Sequence, residues 1–145
     1  MRDTDLNQLY SRQILDLAAS IDRTDPLTDA DASARVTSPV CGSRIEVSLN
    51  LTNGRISDYG QKLQACALGQ ASAAIMARHV IGSDRVAVEA ALDDLDGILA
   101  GKADADQMDW PELALLAPVH EFPARHGAVR LPFLATLKAL DSVTR

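Results

Sequence analysis

The residues from 44 to 51 alternate strictly. Ile45, Val47, Leu49 and Leu51 fall on one side, and Arg44, Glu46, Ser48 and Asn50 on the other. Successive side chains of a strand point to opposite faces, so this pattern predicts a half-buried β-strand. Thr52-Asn53-Gly54 follows at once. Asn and Gly accept the positive φ of a tight turn, so the chain is expected to reverse here, with residues 55–61 returning as the antiparallel partner. Residues 62–67 read as a short third strand. A hairpin with one apolar face needs a second layer to cover it, and the rest of the chain reads as helix.

Residues 69–81 are Ala-rich and predict a helix, with Gly82 as its C′ residue. Ser83 is placed to cap another helix running to about Leu99, with Val88, Leu92, Leu95 and Leu99 on its buried face and Gly101 ending it. An acidic linker follows over 102–109, then a short helix over 112–116 with Pro111 suited to its first turn. The last helix carries Phe133, Leu137 and Leu140 on one face. Pro132 either starts it or kinks it, because proline removes a donor and crowds the carbonyl four residues back, that of Ala128. Ahead of the hairpin, Leu6, Leu9, Tyr10, Ile14 and Leu17 recur at spacings of three and four. They predict an amphipathic helix over 5–21, with Asp3, Thr4 or Asp5 as its N-cap. The polar stretch 22–37 reads as a long loop. Helix, three antiparallel strands and then helices define an α+β class: two layers, with a small three-stranded antiparallel sheet packed against several helices. The 145 residues suit a single domain over 1–145.

The formal charge is −6, and Lys and Arg are scattered along the sequence. No run of cations could neutralise successive phosphates, which argues against a nucleic-acid partner. There is no 18-residue apolar stretch and no basic-then-apolar start, so neither a membrane span nor a signal peptide is expected. Two cysteines without a secretion signal point to the cytoplasm, where thiols stay reduced. In that compartment a cysteine pair is more often a metal or reactive site than a disulfide.

Cys41 lies in Ser38-Pro39-Val40-Cys41-Gly42, where Gly42 permits a sharp bend or close approach to a ligand. Cys66 leads into Ala67-Leu68-Gly69, close to a helix N-terminus whose free N–H groups favour a thiolate. The 24 residues between them match no zinc-finger spacing. From these residues alone, two unrelated buried thiols compete evenly with a paired site. His79, late in its helix, suits the C-terminal dipole. His120 reads as a surface residue, and Asp93, Asp94 and Asp96 as a solvated helix face. No phosphate-cradling loop and no Ser/His/Asp order stands out.

The ordered set is more specific than its members. Leu9-Tyr10 with Ile14-Leu15-Asp16, Pro39-Val40-Cys41-Gly42, the hairpin, Cys66 with its Ala-Ser-Ala helix, and Phe122-Pro123-Ala124-Arg125 follow in turn. Together they resemble the NifU/IscU/SufU family of iron–sulfur cluster assembly proteins, most of all its SufU branch, with the SufE/NifU-like fold. The resemblance implies three cysteines, and an aspartate two residues after the first, converging at one end of the domain. There they bind zinc or a nascent cluster, or accept sulfur as persulfide from a cysteine desulfurase. Carried over, Cys41 and Cys66 occupy ligand positions, the aspartate position holds Ser43, and the third cysteine position holds Ala128. The implied function is a scaffold or sulfur acceptor, partnered by a cysteine desulfurase, with a degenerate metal site. Zinc or an iron–sulfur cluster is its implied cofactor, weakened by two missing ligands. Cys41 is the implied reactive position. Arg125 matches the family's arginine and would support a thiolate, the alternative being a surface ion pair with an acid such as Glu121.

Three routes remain open for such a site. His126, two residues before Ala128, could substitute an imidazole for the missing ligand. Two chains could pool Cys41 and Cys66 across a homodimer axis. Or no metal binds and one cysteine carries sulfur or is inert. A non-catalytic adapter that keeps the desulfurase-binding surface is the alternative of a different class. A thiol–disulfide protein is another, and would need its cysteine Cα atoms within about 7 Å.

Overall fold

The computed structural model describes residues 9–40, 42–102 and 108–143. Its sheet is an antiparallel meander in the order β1 (Ala32–Thr37), β2 (Arg44–Thr52), β3 (Arg55–Gln64). The hairpin forms where expected, with Asn53 at φ 54° and Gly54 at φ 77°, the positive values that a tight two-residue turn demands. The other strand assignments are corrected. Residues 62–64 continue β3, and no separate strand occupies 62–67. The third strand is β1, inside the stretch read as a loop. Ala32 and Ala34 are buried while Ser33 and Arg35 are exposed, so alternation is present but carried by small residues. The strand is defined by its neighbours instead: Ala34 opposes Val47 and Val36 opposes Ile45.

Among the described residues the α-helices are α1 (Arg12–Ala19), α2 (Ala67–His79), α3 (Arg85–Leu99) and α4 (His126–Asp141). A 3-10 helix, Pro111–Glu121, and a 3-10 turn, Pro123–Arg125, lead into α4. α4 packs across β1 and β2. α2 packs on α1, α4 and the longer 3-10 helix, and α3 on α4 and that same 3-10 helix. Nearly every residue of α2 from Leu68 to Ala77 is buried, as expected of an Ala-rich helix surrounded on all sides.

Residues 5–21 are not one helix: the helical run is broken at Tyr10-Ser11 and restarts at Arg12. The short helix expected over 112–116 runs as a 3-10 helix to Glu121. The helices expected over 69–81 and from Ser83 to Leu99 shift by only one or two residues. The described α1 is capped by Ser11, whose hydroxyl accepts from the Ile14 N–H at 3.3 Å. Asp3, Thr4 and Asp5 lie outside the described residues. Asp84, not Ser83, caps α3 by accepting from the Ala87 N–H at 2.9 Å. The Ser83 hydroxyl donates to the His79 carbonyl at 2.8 Å. Pro132 lies inside α4 and does not begin it. The Thr136 hydroxyl donates to the Pro132 carbonyl at 2.7 Å and sits 3.0 Å from the Tyr59 hydroxyl, all of it buried. Burial pushes the Tyr59 phenol well above its ordinary value, partly offset by the bond to Thr136. Among the described residues no helix is long and apolar enough to cross a membrane.

The longer 3-10 helix is tied to the end of α2. His79 Nε2 lies 2.8 Å from Glu112 Oε1, and Arg78 lies 3.9 Å from Glu112 Oε2. The Trp110 ring stacks on His79 at 5.1 Å. Partial burial pushes the Glu112 carboxyl up, but a backbone N–H and the His79 and Arg78 charges outweigh it, and the net shift is downward from 4.5. A carboxylate with a depressed folded value adds stability above its unfolded value, and that stability is lost as pH falls through the folded one. Thermal melts of the parent and Glu112→Gln are therefore expected to differ fully above the ordinary carboxylate value of 4.5 and to converge as pH falls through the lowered folded value. A difference that widened on acidification would contradict this assignment.

Candidate functional site

The turn joining β1 to β2 closes on itself. The Ser38 N–H donates to the Ser43 carbonyl at 2.7 Å, and the Gly42 N–H to the Ser38 carbonyl at 2.9 Å. Both serines are buried. Cys41, between them in sequence, lies outside the described residues. The turn rests on the first turn of α4: a Cβ on Gly127 would lie 2.6 Å from Ser38 Oγ.

Cys66 is not the end of a strand. It is the N-cap of α2, with extended φ and ψ of −66° and 171°, and its carbonyl accepts from the Gln70 N–H at 3.0 Å. Its thiol is half-buried and makes no capping bond. The first turn of α2 also abuts the start of α4. A Cβ on Gly69 would lie 3.3 Å from the Ala128 carbonyl oxygen and 3.6 Å from the Ala128 Cβ. Thus Gly127-Ala128 touches both the turn that carries Cys41 and the helix that Cys66 caps. Ala128 is fully buried in that contact.

Neither glycine contact was foreseen from the sequence. The available signal was Gly127 inside a helical run, since glycine there costs about 1 kcal/mol relative to alanine and so tends to mark a close approach. Gly127→Ala is expected to gain less than the full helix-propensity benefit of about 1 kcal/mol in urea unfolding, because the Ser38 hydroxyl must rotate away from the new Cβ. A gain of the full amount, about 1 kcal/mol, would refute the contact.

The remaining predicted residues are distributed as follows. His126 Nε2 lies 2.9 Å from the Val119 carbonyl. A carbonyl only accepts, so Nε2 is the donor in this contact. Arg125 is half-exposed, and among the described residues no carboxylate lies within ion-pair distance of it, so the expected pair with Glu121 does not form. It borders a shallow pocket of about 340 Å³ with Leu9, Tyr10, Glu121 and Phe122. His120 is exposed, its Nδ1 3.1 Å from the Leu99 carbonyl, and His79 is engaged by Glu112. Asp96 pairs with Arg130 at 2.8 Å. Burial and the Asp109 and Asp93 charges push the Asp94 carboxyl upward. Among the described residues no three His, Cys, Asp or Glu side chains are grouped to hold a metal. With a serine at 43 and an alanine at 128, one chain has thiols at two of the four inferred positions, which does not fit four-coordinate zinc.

The architecture is a two-layer α+β domain in which one helix start gathers a cysteine-bearing turn and a cysteine-capped helix. Residues 9–128 match the NifU-like N terminal domain, and the chain belongs to that family. It is 26% identical over 141 residues to the zinc-dependent sulfurtransferase SufU of Bacillus subtilis (strain 168), covering 95% of this chain and 93% of that one. It is 26% identical over 135 residues to the iron–sulfur cluster assembly scaffold protein IscU of Streptococcus pyogenes serotype M1, covering 93% and 84%. The crystal structure of a NifU-like protein (N-terminal) from Brucella abortus superposes with a TM-score of 0.90 at 32% identity, covering 96% of each chain.

Proposed function

We propose that this protein serves iron–sulfur cluster assembly by accepting sulfur from a cysteine desulfurase, with a degenerate metal site. The observation that carries this reading is the convergence at Gly127-Ala128 of the turn bearing Cys41 and the helix capped by Cys66, with a serine and an alanine at the other two positions. Two thiols without two further ligands suit sulfur transfer better than a resident metal centre. In the step proposed, the Cys41 thiolate attacks the terminal sulfur of the desulfurase persulfide. The S–S bond to the desulfurase breaks, its cysteine leaves as thiolate, and the transferred sulfur is left as a persulfide on Cys41. Cys66 is the neighbouring thiol, Arg125 the charge supporting the thiolate, and the cluster is cargo assembled downstream. The cytoplasm, where thiols stay reduced, is the compartment this chemistry needs.

Intact-mass measurement after incubation with a cysteine desulfurase and cysteine is expected to show one added sulfur, absent in Cys41→Ser. Metal analysis of chelator-free protein is expected to find well under one zinc or iron per chain. Stoichiometric metal that disappears in Cys41→Ser would overturn the degenerate site, and would direct attention to His126 Nδ1 or a second chain as the missing ligand. The full burial of Ala128 and the burial of Ser43 favour a second reading, an adapter without chemistry. Desulfurase binding that persists in Cys41→Ser/Cys66→Ser, with no sulfur taken up by the parent, would establish it.

A further inference from the structure

We propose that the outward face of the sheet, at the end beside the cysteine-bearing turn, is a docking groove for an acidic, extended polypeptide segment of a partner protein. Strand register places Arg35 opposite Glu46 and Glu46 opposite Lys62, so these three side chains form one row across β1, β2 and β3. Arg44, two residues before Glu46, stands on the same face. These residues line an open groove of about 490 Å³. The Arg35 side chain is 81% exposed, and Arg44 and Lys62 are exposed. The one carboxylate, Glu46, lies 2.7 Å from Arg35 Nε. Among the described residues, no carboxylate lies within ion-pair distance of Arg44 or Lys62. Lys138 adds a cation at the β1 edge, its Nζ donating to the Arg35 carbonyl at 3.0 Å. The chain carries −6 overall, so this concentration of positive charge opposes its composition.

The opposite end of the same face is already covered by the chain itself. The Leu27 N–H donates to Ser48 Oγ at 3.0 Å, and the Asp25 carbonyl would lie 2.4 Å from a Cβ on Gly60. An irregular segment thus crosses half of the sheet and leaves the cationic half open. Three strands at a spacing of about 4.8 Å give a row about 10 Å wide, the reach of about three extended residues. That is too short to track a nucleic-acid backbone, and the rest of this acidic surface repels one. A short strand-like segment with alternating carboxylates matches both the length and the charge. The groove runs directly into the turn after Thr37 and, past Gln64, toward Cys66, so whatever binds there is held beside the candidate site.

This inference goes beyond the sulfur-acceptor reading and does not depend on it. Isotope-labelled protein would be titrated with a short peptide of alternating Glu and Ser, with fluorescence anisotropy giving affinity. Saturable shifts are expected at the amides of Arg35, Arg44 and Lys62. The double variant Arg44→Glu/Lys62→Glu, which leaves the Arg35–Glu46 pair intact, is expected to bind about tenfold more weakly. Added salt should weaken the parent likewise. If the double variant fails to melt cooperatively, the neutral Arg44→Gln/Lys62→Gln is expected to show a smaller loss in the same direction. Unchanged affinity in a folded variant, shifts confined to other surfaces, or tighter binding by a single-stranded RNA of equal charge would overturn the proposal.

Discussion

Ser43→Asp and Ala128→Cys, introduced together, are expected to convert this chain into one that binds one zinc per molecule. The double change would supply the Cys₃Asp set that the family resemblance implies, and two contacts favour its convergence: the Ser38 end of the turn rests on Gly127, and α2, capped by Cys66, rests on Ala128. Position 128 is fully buried, so the added sulfur carries an overpacking cost of about 1–3 kcal/mol. Structural zinc contributes about 10–16 kcal/mol in finger peptides, which outweighs that cost. Each single variant should gain far less, because three donors leave the tetrahedron open. Zinc content and thermal melting with and without chelator would measure it. At a hundredfold excess of metal over its dissociation constant, linkage predicts about 2.7 kcal/mol of added stability. A folded double variant that takes up no zinc would mean that the four positions do not converge as inferred, and the assignment of Ser43 and Ala128 would fall.

Thr136→Val is expected to cost about 2–3 kcal/mol and Tyr59→Phe only about 1 kcal/mol, although the two residues share one hydrogen bond. The Thr136 hydroxyl donates to the Pro132 carbonyl, so the Tyr59 hydroxyl is the donor to Thr136. Removing the threonine hydroxyl strands a buried phenol and withdraws a donor from the Pro132 carbonyl. Removing the phenol leaves the threonine still bonded. The pair variant should therefore cost less than the sum of its parts. Urea unfolding of the three variants gives the values, and equal costs for the two single changes would show that the network is not ordered this way.

What was legible in the sequence was what local chemistry decides. The hairpin was readable because alternating residues and Asn53-Gly54 specify it without help from elsewhere. The α+β class and the family followed from the order of its segments. β1 was not readable, because Ala-Ser-Ala-Arg-Val-Thr has too little apolar surface to declare a strand, and its partners on β2 supply the decision. The helix start beside Cys66 was read to within two residues, but the strand before it was carried too far, because Leu63 extends the strand pattern and no Gly or Pro marks where it stops. At the site, the cysteines stood out as residue types. Ser43 and Ala128 drew notice only through the family resemblance, since nothing about an alanine in an apolar helix signals a lost ligand. The contact of Ser38 with Gly127 depends on packing between distant segments, which no local pattern encodes.

The burial of α2 around its whole circumference bears on how the molecule opens. Amides along Leu68–Ala77 sit beneath α1, α4 and the 3-10 helix at once, so they can exchange with solvent only when most of the domain has come apart. They should be among the last amides to take up deuterium, and their rate should report global unfolding. Cys66 is fixed to the end of that slowest element. Transient exposure of its thiol would then come from neighbouring segments lifting away, while the helix that carries it stays in place.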